Sequence, residues 1–292
     1  MGKFDKLREQ SILLVKKKLR ESVHQDTLII QTINAMEDFD KVANMLTTRL
    51  REWYSLYNPE FSEAIFNQEK FTELIIKKDK KTLLREINTH NSMGADLEKK
   101  DISAILFFAK QINELYISKK ELHKYLESSM KNVCPNLLTL TGATLGAKLL
   151  AKAGSLKRLV MIPASTIQVL GAEKALFRHI KTGAKPPRHG IIIKHPLIAS
   201  AKQSEHGKRA RTLADKISIA VKVDYFKGKF IGDKLSKEIE EKFPKQNSSP
   251  KQVNKKDFKF KKESHQKHNN KNNHRNNHKN NHKKNKSRNR SR

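Results

Sequence analysis

Residues 162–190 of this 292-residue chain read IPASTIQVLGAEKALFRHIKTGAKPPRHG, and this stretch is the most informative part of the sequence. Gly171 allows the backbone to turn or to approach a neighbour closely, and the basic residues after it recur at helical spacing beside an apolar set. Pro186 and Pro187 then stiffen the loop that follows. Cations and hydrogen-bond donors in this arrangement suit phosphate groups. The residues that supply these cations and donors are Lys174, Arg178, Lys181, Lys185, Arg188 and His189.

The chain is strongly basic, with 61 Lys and Arg residues against 30 Asp and Glu residues and a formal net charge of +31. Residues 245–292 hold 17 basic and 2 acidic residues, a charge of +15, which leaves +16 for residues 1–244. Residues 171–229 hold 14 basic and 4 acidic residues, so +10 of that +16 lies there. We expect a polyanionic partner such as RNA, and a solvated basic face is the alternative.

Cysteine usage and hydropathy limit the class of protein. Cys134 is the single cysteine, which excludes an internal disulfide and a cysteine-rich zinc site and fits a reducing compartment. We expect it to pack between helices. The sequence shows no pattern of a cleaved signal peptide and no apolar run near the ~20 residues that span a bilayer. We therefore expect a protein that is neither secreted nor bound in a membrane.

The first half of the chain follows a helical period and predicts an antiparallel coiled-coil hairpin. A second helix is predicted from about residue 101 to 130, and Lys119 interrupts its apolar seam. Residues 60–97 contain shorter amphipathic pieces at 71–76 and 82–87, which we place at the far end of the hairpin. The predicted seams are Met36, Phe39, Ala43, Leu46, Leu50, Trp53 and Tyr57, and Ile105, Phe108, Ile112, Leu115, Leu122 and Leu126.

From residue 132 the sequence becomes rich in small residues and is divided by prolines and glycines, which is typical of short helices packed in a compact domain. Only residues 190–194 (GIIIK) resemble a strand. The predicted fold class is all-α. The predicted organisation is a coiled-coil region at 1–131 with a tip insertion at 60–98, a compact helical domain at 132–244, and a disordered basic tail at 245–292.

The tail has almost no aliphatic residues and repeats Lys-Asn-Asn-His and Arg-Asn-Asn-His, so it cannot bury a core. His274, His278 and His282 recur every four residues, which raises the alternative of a transition-metal site. The surrounding positive charge and the lack of acidic ligands oppose a cation. We expect no metal site, and a disordered polycation that adds salt-sensitive RNA affinity.

Three patterns that could indicate catalysis have simpler explanations. Residues 142–148 (GATLGAK) lack the spacing of a phosphate-binding loop, and no strand precedes them, so helix packing is expected. Glu173 and Lys174 are adjacent at a helix start, where a glutamate complements the helix dipole or orients a donor. Glu205 and His206 have no nucleophile or third partner. We predict no catalytic residues and no enzymatic activity.

Residues 171–190 (GAEKALFRHIKTGAKPPRHG) closely resemble the Nop domain, in the form usual for its archaeal members. The resemblance continues at 207–214 (GKRARTLA), 219–226 (IAVKVDYF), 132–138 (NVCPNLL) and 38–59 (DFDKVANMLTTRLREWYSLYNP). It covers roughly residues 7–244.

The resemblance implies a scaffold of a C/D box guide ribonucleoprotein, which directs 2'-O-ribose methylation of rRNA or tRNA. By family analogy, the Nop domain docks on a composite surface of the guide RNA and a kink-turn-binding ribosomal-type protein. The same analogy implies that the coiled coil forms a homodimer. It also implies that the methyltransferase fibrillarin performs the chemistry with S-adenosylmethionine, so we expect this chain to bind no cofactor directly.

The resemblance also places the RNA site. Arg209 and Arg211 lie on another predicted helix and are either further phosphate contacts or structural pairs with acidic groups. Leu176 and Phe177 are expected in the core or against a protein partner. Of Trp53 and Tyr54, Trp53 lies on the apolar seam and is expected in the core rather than as a stacking platform for a nucleobase. The residues that match the family signature and its helix and loop are Gly171, Ala172, Glu173, Lys174, Arg178, Lys181, Lys185, Arg188 and His189; His189 is expected against an exposed nucleotide and the cations against phosphates.

In this sequence the coiled-coil region follows almost directly after Met1, without the usual N-terminal fibrillarin-binding domain. Three explanations for this difference remain open: the domain is encoded as a separate polypeptide, the start of this chain is truncated, or this copy works without the domain. Our hypothesis is that the domain is supplied in trans. An archaeal-type protein would be cytoplasmic and a eukaryotic one nucleolar. The alternative functions are a spliceosomal-type Nop protein that binds a small nuclear RNA, and a nonspecific nucleic-acid condensing protein.

Overall fold

The computed structural model describes residues 3–89 and 92–244, and within those ranges it is built of thirteen α-helices, a 3-10 helix and no strand. The all-α prediction is confirmed. No helix in this part of the chain is both long and apolar enough to cross a membrane. The helices are α1 Lys3–Glu21, α2 Gln25–Ser55, α3 Pro59–Ala64, α4 Gln68–Lys77, α5 Lys80–Glu86, α6 Lys99–Val133, α7 Pro135–Ala153, α8 Leu156–Met161, α9 Ala164–Val169, α10 Glu173–Thr182, the 3-10 helix Ile191–Lys194, α11 Pro196–Ala199, α12 His206–Tyr225 and α13 Gly232–Lys242.

Helices α2 and α6 form the predicted antiparallel hairpin. The start of α2 packs against the end of α6, and the end of α2 packs against the start of α6. Midway, the hydroxyls of Thr47 and Tyr116 lie 3.2 Å apart, and Lys119, which interrupts the predicted seam, forms an ion pair with Asp40 on α2. Helix α1 precedes the hairpin, and its residues 4–21 are all exposed.

The predicted position of Trp53 in the hairpin core is wrong. Trp53 is 40% exposed, whereas Tyr54 is 4% exposed and packs among aromatic rings. The buried seam of α2 passes through Thr47, a polar residue whose hydroxyl donates to the carbonyl of Ala43 at 2.7 Å. A threonine can occupy a buried seam position because its hydroxyl forms a hydrogen bond within the helix. A prediction based on apolar residues alone places the seam at neighbouring positions instead.

The far end of the hairpin carries the short helices expected there, α3 to α5. The rings of Phe61 and Phe71 stack with centroids 5.6 Å apart. The guanidinium of Arg51 lies 4.2 Å from the centre of the Phe71 ring and donates to the carbonyl of Ile65 at 2.6 Å. The residues at the hairpin tip therefore form a separate hydrophobic cluster with the middle of the hairpin.

A second hydrophobic cluster joins the base of the hairpin to α7–α13. Within it, a methyl group added to Gly146 would lie 2.8 Å from the side chain of Met130, so the expected helix packing of residues 142–148 is confirmed. Cys134 is fully buried there, and burial raises the pKa of its thiol. The predicted domain boundaries at 60, 98, 131 and 244 remain predictions, and the tail at 245–292 with His274, His278 and His282 lies outside the described residues.

The strand expected at residues 190–194 is wrong, because Ile191–Lys194 forms a 3-10 helix. Its amides bond locally: that of Ile193 donates to the carbonyl of Gly190 at 3.3 Å and that of His195 to the carbonyl of Ile192 at 3.0 Å. Three consecutive β-branched residues favour a strand by propensity, but these local bonds satisfy the backbone in a turn.

A buried carboxylate fixes the start of α7. Asp224, at the end of α12, accepts hydrogen bonds from the amide of Asn136 at 3.1 Å, from the side chain of Asn136 at 2.7 Å and from the amide of Leu137 at 2.9 Å. The side-chain oxygen of Asn136 accepts from the amide of Ile231 at 2.7 Å. Burial raises the pKa of Asp224. This network joins α7, α12 and the chain that leads into α13.

We expect Asp224→Ala to lower the free energy of unfolding by about 3 kcal/mol, because it leaves buried amides without an acceptor and uncaps α7. Asp215→Ala is the matched control, since Asp215 is an exposed aspartate on the same helix, and should change stability by less than about 0.5 kcal/mol. Chemical denaturation measures both. Equal effects of the two substitutions would contradict the role assigned to Asp224.

Candidate nucleic-acid interface

Helix α10 contributes no buried residue to the protein. Since it turns by about 100° per residue, Lys174, Arg178 and Lys181 fall within an arc of roughly 60° on its surface. All three side chains are exposed, and within the described part of the chain none of them forms an ion pair. The predicted cationic face therefore exists, and its charges are available to a partner.

An apolar face lies beside the cationic face. Leu176, Phe177 and Ile180 occupy an adjacent arc of roughly 100°, and Phe177 and Ile180 are 66% and 73% exposed. Of the two alternatives expected for Leu176 and Phe177, this exposure excludes the core, and contact with a protein partner remains a prediction. Ile180 was missed in the sequence, although its spacing of i+3 and i+4 from the other two is a sufficient signal for a common face.

The third face of α10 lies against the protein through half-buried residues, Ala175 and His179. The ring of His179 donates a short hydrogen bond to the carbonyl of Ala184, and Gly183 ends the helix with a φ of 67°. The left-handed conformation at this position favours glycine. The helix and the loop that follows it are thus held together, and Lys185 in that loop is exposed.

The two chain segments that flank α10 and its loop cross at very short range. The amide of Gly190 donates to the carbonyl of Gln168, and that of Ile191 to the carbonyl of Leu170, both at 2.8 Å. A methyl group on Gly190 would lie 1.9 Å from the Leu170 carbonyl oxygen, and one on Gly171 would lie 2.3 Å from the Ile191 side chain. Only glycine fits at these two positions, and Gly171 also has a φ of 87°.

Glu173 is used within the protein. Its carboxylate accepts a hydrogen bond from the amide of Gly171 at 2.7 Å. Hydrogen bonds from its own amide and from that of Gly171 lower the pKa of Glu173, and nearby Lys152 lowers it further. The carboxylate fixes the entry into α10, with Ala172 as the N-terminal capping position. A direct RNA contact of Glu173 and of Ala172 remains a prediction.

Arg188 and His189 hold the loop against α9 and α12. The carbonyl of Arg188 accepts from the side chain of Gln168 at 2.7 Å, and the rings of His189 and His206 meet edge to face with centroids 5.6 Å apart. Partial burial, the His206 ring and the neighbouring Arg188 lower the pKa of His189. At neutral pH His189 is therefore an uncharged hydrogen-bonding and stacking group, in keeping with the nucleotide contact expected of it.

The two arginines of α12 differ. Arg209 bonds to the carboxylate of Glu205 through two nitrogens, at 3.1 and 2.8 Å, donates to the carbonyl of Leu197 at 3.1 Å, and lies 5.3 Å from the ring of Phe243. The guanidinium of Arg209 is therefore bonded within the protein. This agrees with the structural pairing that was the alternative to a phosphate contact. Arg211 is exposed and forms no ion pair within the described ranges, so its phosphate contact remains a prediction.

The Nop family model, described as snoRNA binding domain, fibrillarin, matches residues 35–245 of this chain. The chain belongs to the Nop family. An uncharacterized NOP5 family protein of Methanocaldococcus jannaschii is 44% identical over 264 residues, which cover 82% of this chain and 64% of the relative. Nucleolar protein 56 of Schizosaccharomyces pombe is 36% identical over 74% of this chain and 48% of its own length. A chain in a solved fibrillarin/Nop5p complex is 29% identical with a TM-score of 0.49, over 83% of this chain and 79% of that chain.

The Nop-family chain thus spans less than two thirds of the length of these two curated relatives. Its signature residues 171–174 fall at the crossing that positions α10. The structure brings together Lys174, Arg178, Lys181, Lys185, Arg188 and His189 in one helix and loop.

We expect Gly190→Ala to loosen α10 and its loop while the hydrophobic cores persist, because the new methyl group collides with backbone at 1.9 Å and α10 has no fully buried residue. Hydrogen exchange should accelerate at least about tenfold at residues 190 and 191 and stay unchanged in α12, an opening cost of about 1.4 kcal/mol. Gly207→Ala is the control, since its nearest neighbours lie at 4.0 Å. Unchanged exchange in the Gly190 variant would show that the crossing is not tight.

Proposed function

We propose that this chain is the non-catalytic RNA-binding scaffold of a C/D box guide ribonucleoprotein. It joins the box RNA and its kink-turn-binding protein to fibrillarin, which methylates ribose 2'-hydroxyls of rRNA or tRNA with S-adenosylmethionine. The family model's description, which names snoRNA binding and fibrillarin, supports this role. In an archaeal cell the particle would be cytoplasmic. The eukaryotic relatives are named nucleolar proteins, and a eukaryotic counterpart would be nucleolar.

The two exposed faces of α10 carry the proposal. A helix that has no fully buried residue and exposes Leu176, Phe177 and Ile180 beside three cations is suited to two partners at once. The cations suit phosphates, and the apolar face suits a protein surface, since exposed apolar patches mark sites of protein contact. A composite of folded RNA and its bound protein presents both chemistries side by side.

The remaining signature residues support the same arrangement. His189 is uncharged at neutral pH and half-buried beside His206, so it suits a base or a ribose better than a phosphate. Lys185 and Arg188 extend the cationic face into the loop. Single-stranded and distorted RNA is recognised through such combinations of phosphate contacts with stacking and hydrogen bonds to exposed bases.

We expect Lys174→Ala and Arg178→Ala each to weaken binding to the preassembled RNA and kink-turn-protein complex by about 1–3 kcal/mol, since each removes a charge-assisted bond. Phe177→Ala should weaken the same complex and leave binding to RNA alone unchanged, because the apolar face contacts only the protein. Titration of the full chain into each target at physiological salt measures these effects.

The fold should tolerate these changes. Lys174 lies in the first turn of α10, where a cation opposes the helix dipole and alanine is the better helix former. Lys81→Ala, at an exposed lysine of the hairpin tip, is the matched control. If Lys174→Ala and Arg178→Ala bind as tightly as that control, the site assignment is wrong, and a nonspecific condensing protein or another RNA target must be considered.

We also propose that two copies associate through the hairpin. The surface of α2 opposite its core carries Val42, Met45, Trp53 and Leu56, which are exposed and recur at intervals of three and four residues around Arg49. This heptad-like spacing is typical of a second coiled-coil seam. Phe107 on α6 is also exposed.

We expect Met45→Lys to raise the dimer dissociation constant at least about tenfold, because it places a charge in the proposed interface. Met45 is 66% exposed, so the fold should be unaffected. Asn44→Lys places the same charge on another side of α2 and should leave the dimer intact. Light scattering across a concentration series measures both variants, and a monomeric parent protein or an unaffected Met45→Lys dimer would contradict the proposal.

A further inference from the structure

A cleft of about 870 Å³ opens at the base of the hairpin, at the end of α12 remote from Arg209. Its walls come from the start of α2, the junction of α6 and α7, the start of α8 and the loop that follows α12. The volume lies within the range of about 300–1,000 Å³ that is typical of ligand pockets. Neither the signature residues nor the dimer surface contributes to it.

The walls of this cleft are tied together by hydrogen bonds. The carboxylate of Asp26 on α2 accepts from the amide of Leu156 at 2.9 Å, which joins α2 to α8. Asp224 and Asn136 join α12 to α7, as described above, and Asn136 holds the loop through the amide of Ile231. The elements that form the cleft are therefore held in place by hydrogen bonds, and the cleft is preformed.

The charge that the cleft presents is positive. Its two carboxylates, Asp26 and Asp224, are buried and bonded to backbone amides. Lys157 and Lys227 line the cleft and are exposed, and Lys229 is exposed in the same loop. An anion that approaches the cleft meets ammonium groups first.

Aromatic rings lie close to these lysines at the end of α12 and in the loop that follows it. Tyr225 and Phe230 line the cleft and are partly exposed, and the ring of Phe226 packs edge to face on that of Tyr225 with centroids 5.2 Å apart. Lys227 between them has a left-handed backbone with a φ of 52°, a conformation that is uncommon for residues other than glycine. Aromatic rings interleaved with cations are the usual platform for single-stranded nucleic acid, since rings stack on bases and cations bind phosphates.

We propose that this cleft is a second RNA site, which takes an unpaired nucleotide of single-stranded RNA. The base stacks on Tyr225 or Phe230, and the backbone phosphates on either side of the nucleotide lie against Lys157 and Lys227. The proposal goes beyond the composite surface at α10, although it rests on the chain being RNA-binding. The site lies about 24 Å from Arg209, because residues 209–225 of α12 are separated by 16 steps with a rise of about 1.5 Å each. A strand that passes Arg209 would need about seven nucleotides, at roughly 3.4 Å per step, to reach the cleft.

Two variants test the two halves of this site. Tyr225→Leu combined with Phe230→Leu removes the rings and keeps apolar volume. Lys227→Gly removes one charge and suits the left-handed backbone, so its stability should not fall. Lys81→Gln at the hairpin tip is the control for loss of one exposed charge.

The measurement is the affinity of the full chain for a fluorescent oligouridine of about 12 nucleotides at several salt concentrations. The leucine pair should lower the affinity about tenfold without changing the salt dependence, since stacking is not ionic. Lys227→Gly should lower the slope of log affinity against log salt by about 0.7, the value for one phosphate of a single strand. Lys81→Gln should change neither quantity.

Photocrosslinking with a photoreactive uridine gives a second readout that does not depend on the fold of the variants. A crosslink to residues 225–230 of the unaltered chain is expected and should survive Lys174→Ala. Affinities within twofold of the control for all cleft variants, together with crosslinks confined to residues 171–211, would overturn the proposal and leave the cleft to a protein side chain or to solvent. Loss of binding in Lys174→Ala alone would bear on the α10 surface and not on this cleft.

Discussion

The close crossing of residues 168–171 with residues 190–191 is the constraint on which the candidate interface depends. Helix α10 has no fully buried residue, so hydrophobic packing contributes little to its position. Two backbone hydrogen bonds of 2.8 Å and two glycines that leave no room for a methyl group hold both ends of the segment instead. The sequence signature GAEK thus determines where α10 lies as well as what it contacts, because Gly171 permits the crossing and the Glu173 carboxylate accepts a hydrogen bond from the amide of Gly171.

The rest of the molecule supports that position. The base of the hairpin shares a hydrophobic core with α7–α13, and Asp224 with Asn136 ties α7, α12 and the approach to α13 into one unit. His206 at the start of α12 belongs to this unit, and its ring packs against the ring of His189. A rigid base of this kind holds α10, with its cationic and apolar faces, in a fixed orientation, which favours recognition of a preformed RNA and protein surface.

Much of the fold and of the site follows from the sequence, for physical reasons that differ between elements. Long amphipathic helices reveal themselves by period, so the hairpin and its direction are predictable. The burial of individual residues is less predictable. Thr47 holds a core position because its hydroxyl bonds within its own helix, and the buried seam continues through Tyr54 while Trp53 is exposed. Residues 190–194 have strand propensity, but local amide bonds fold them into a 3-10 helix. The use of Arg209 within the protein depends on Glu205, Leu197 and Phe243 meeting around it, which no local pattern reveals. The cleft beside Tyr225 could not be predicted, because its walls come from four parts of the chain that only the folded structure brings together.

The central claim is that the chain recognises a composite of RNA and protein through the adjacent faces of α10. The most direct measurement is a band-shift titration of the purified protein on a C/D box RNA, with and without the kink-turn-binding protein, at physiological salt and with excess nonspecific RNA. We expect a shift only when RNA and kink-turn-binding protein are both present. Equal binding to every RNA, irrespective of the second protein, would contradict the claim and show that net charge dominates.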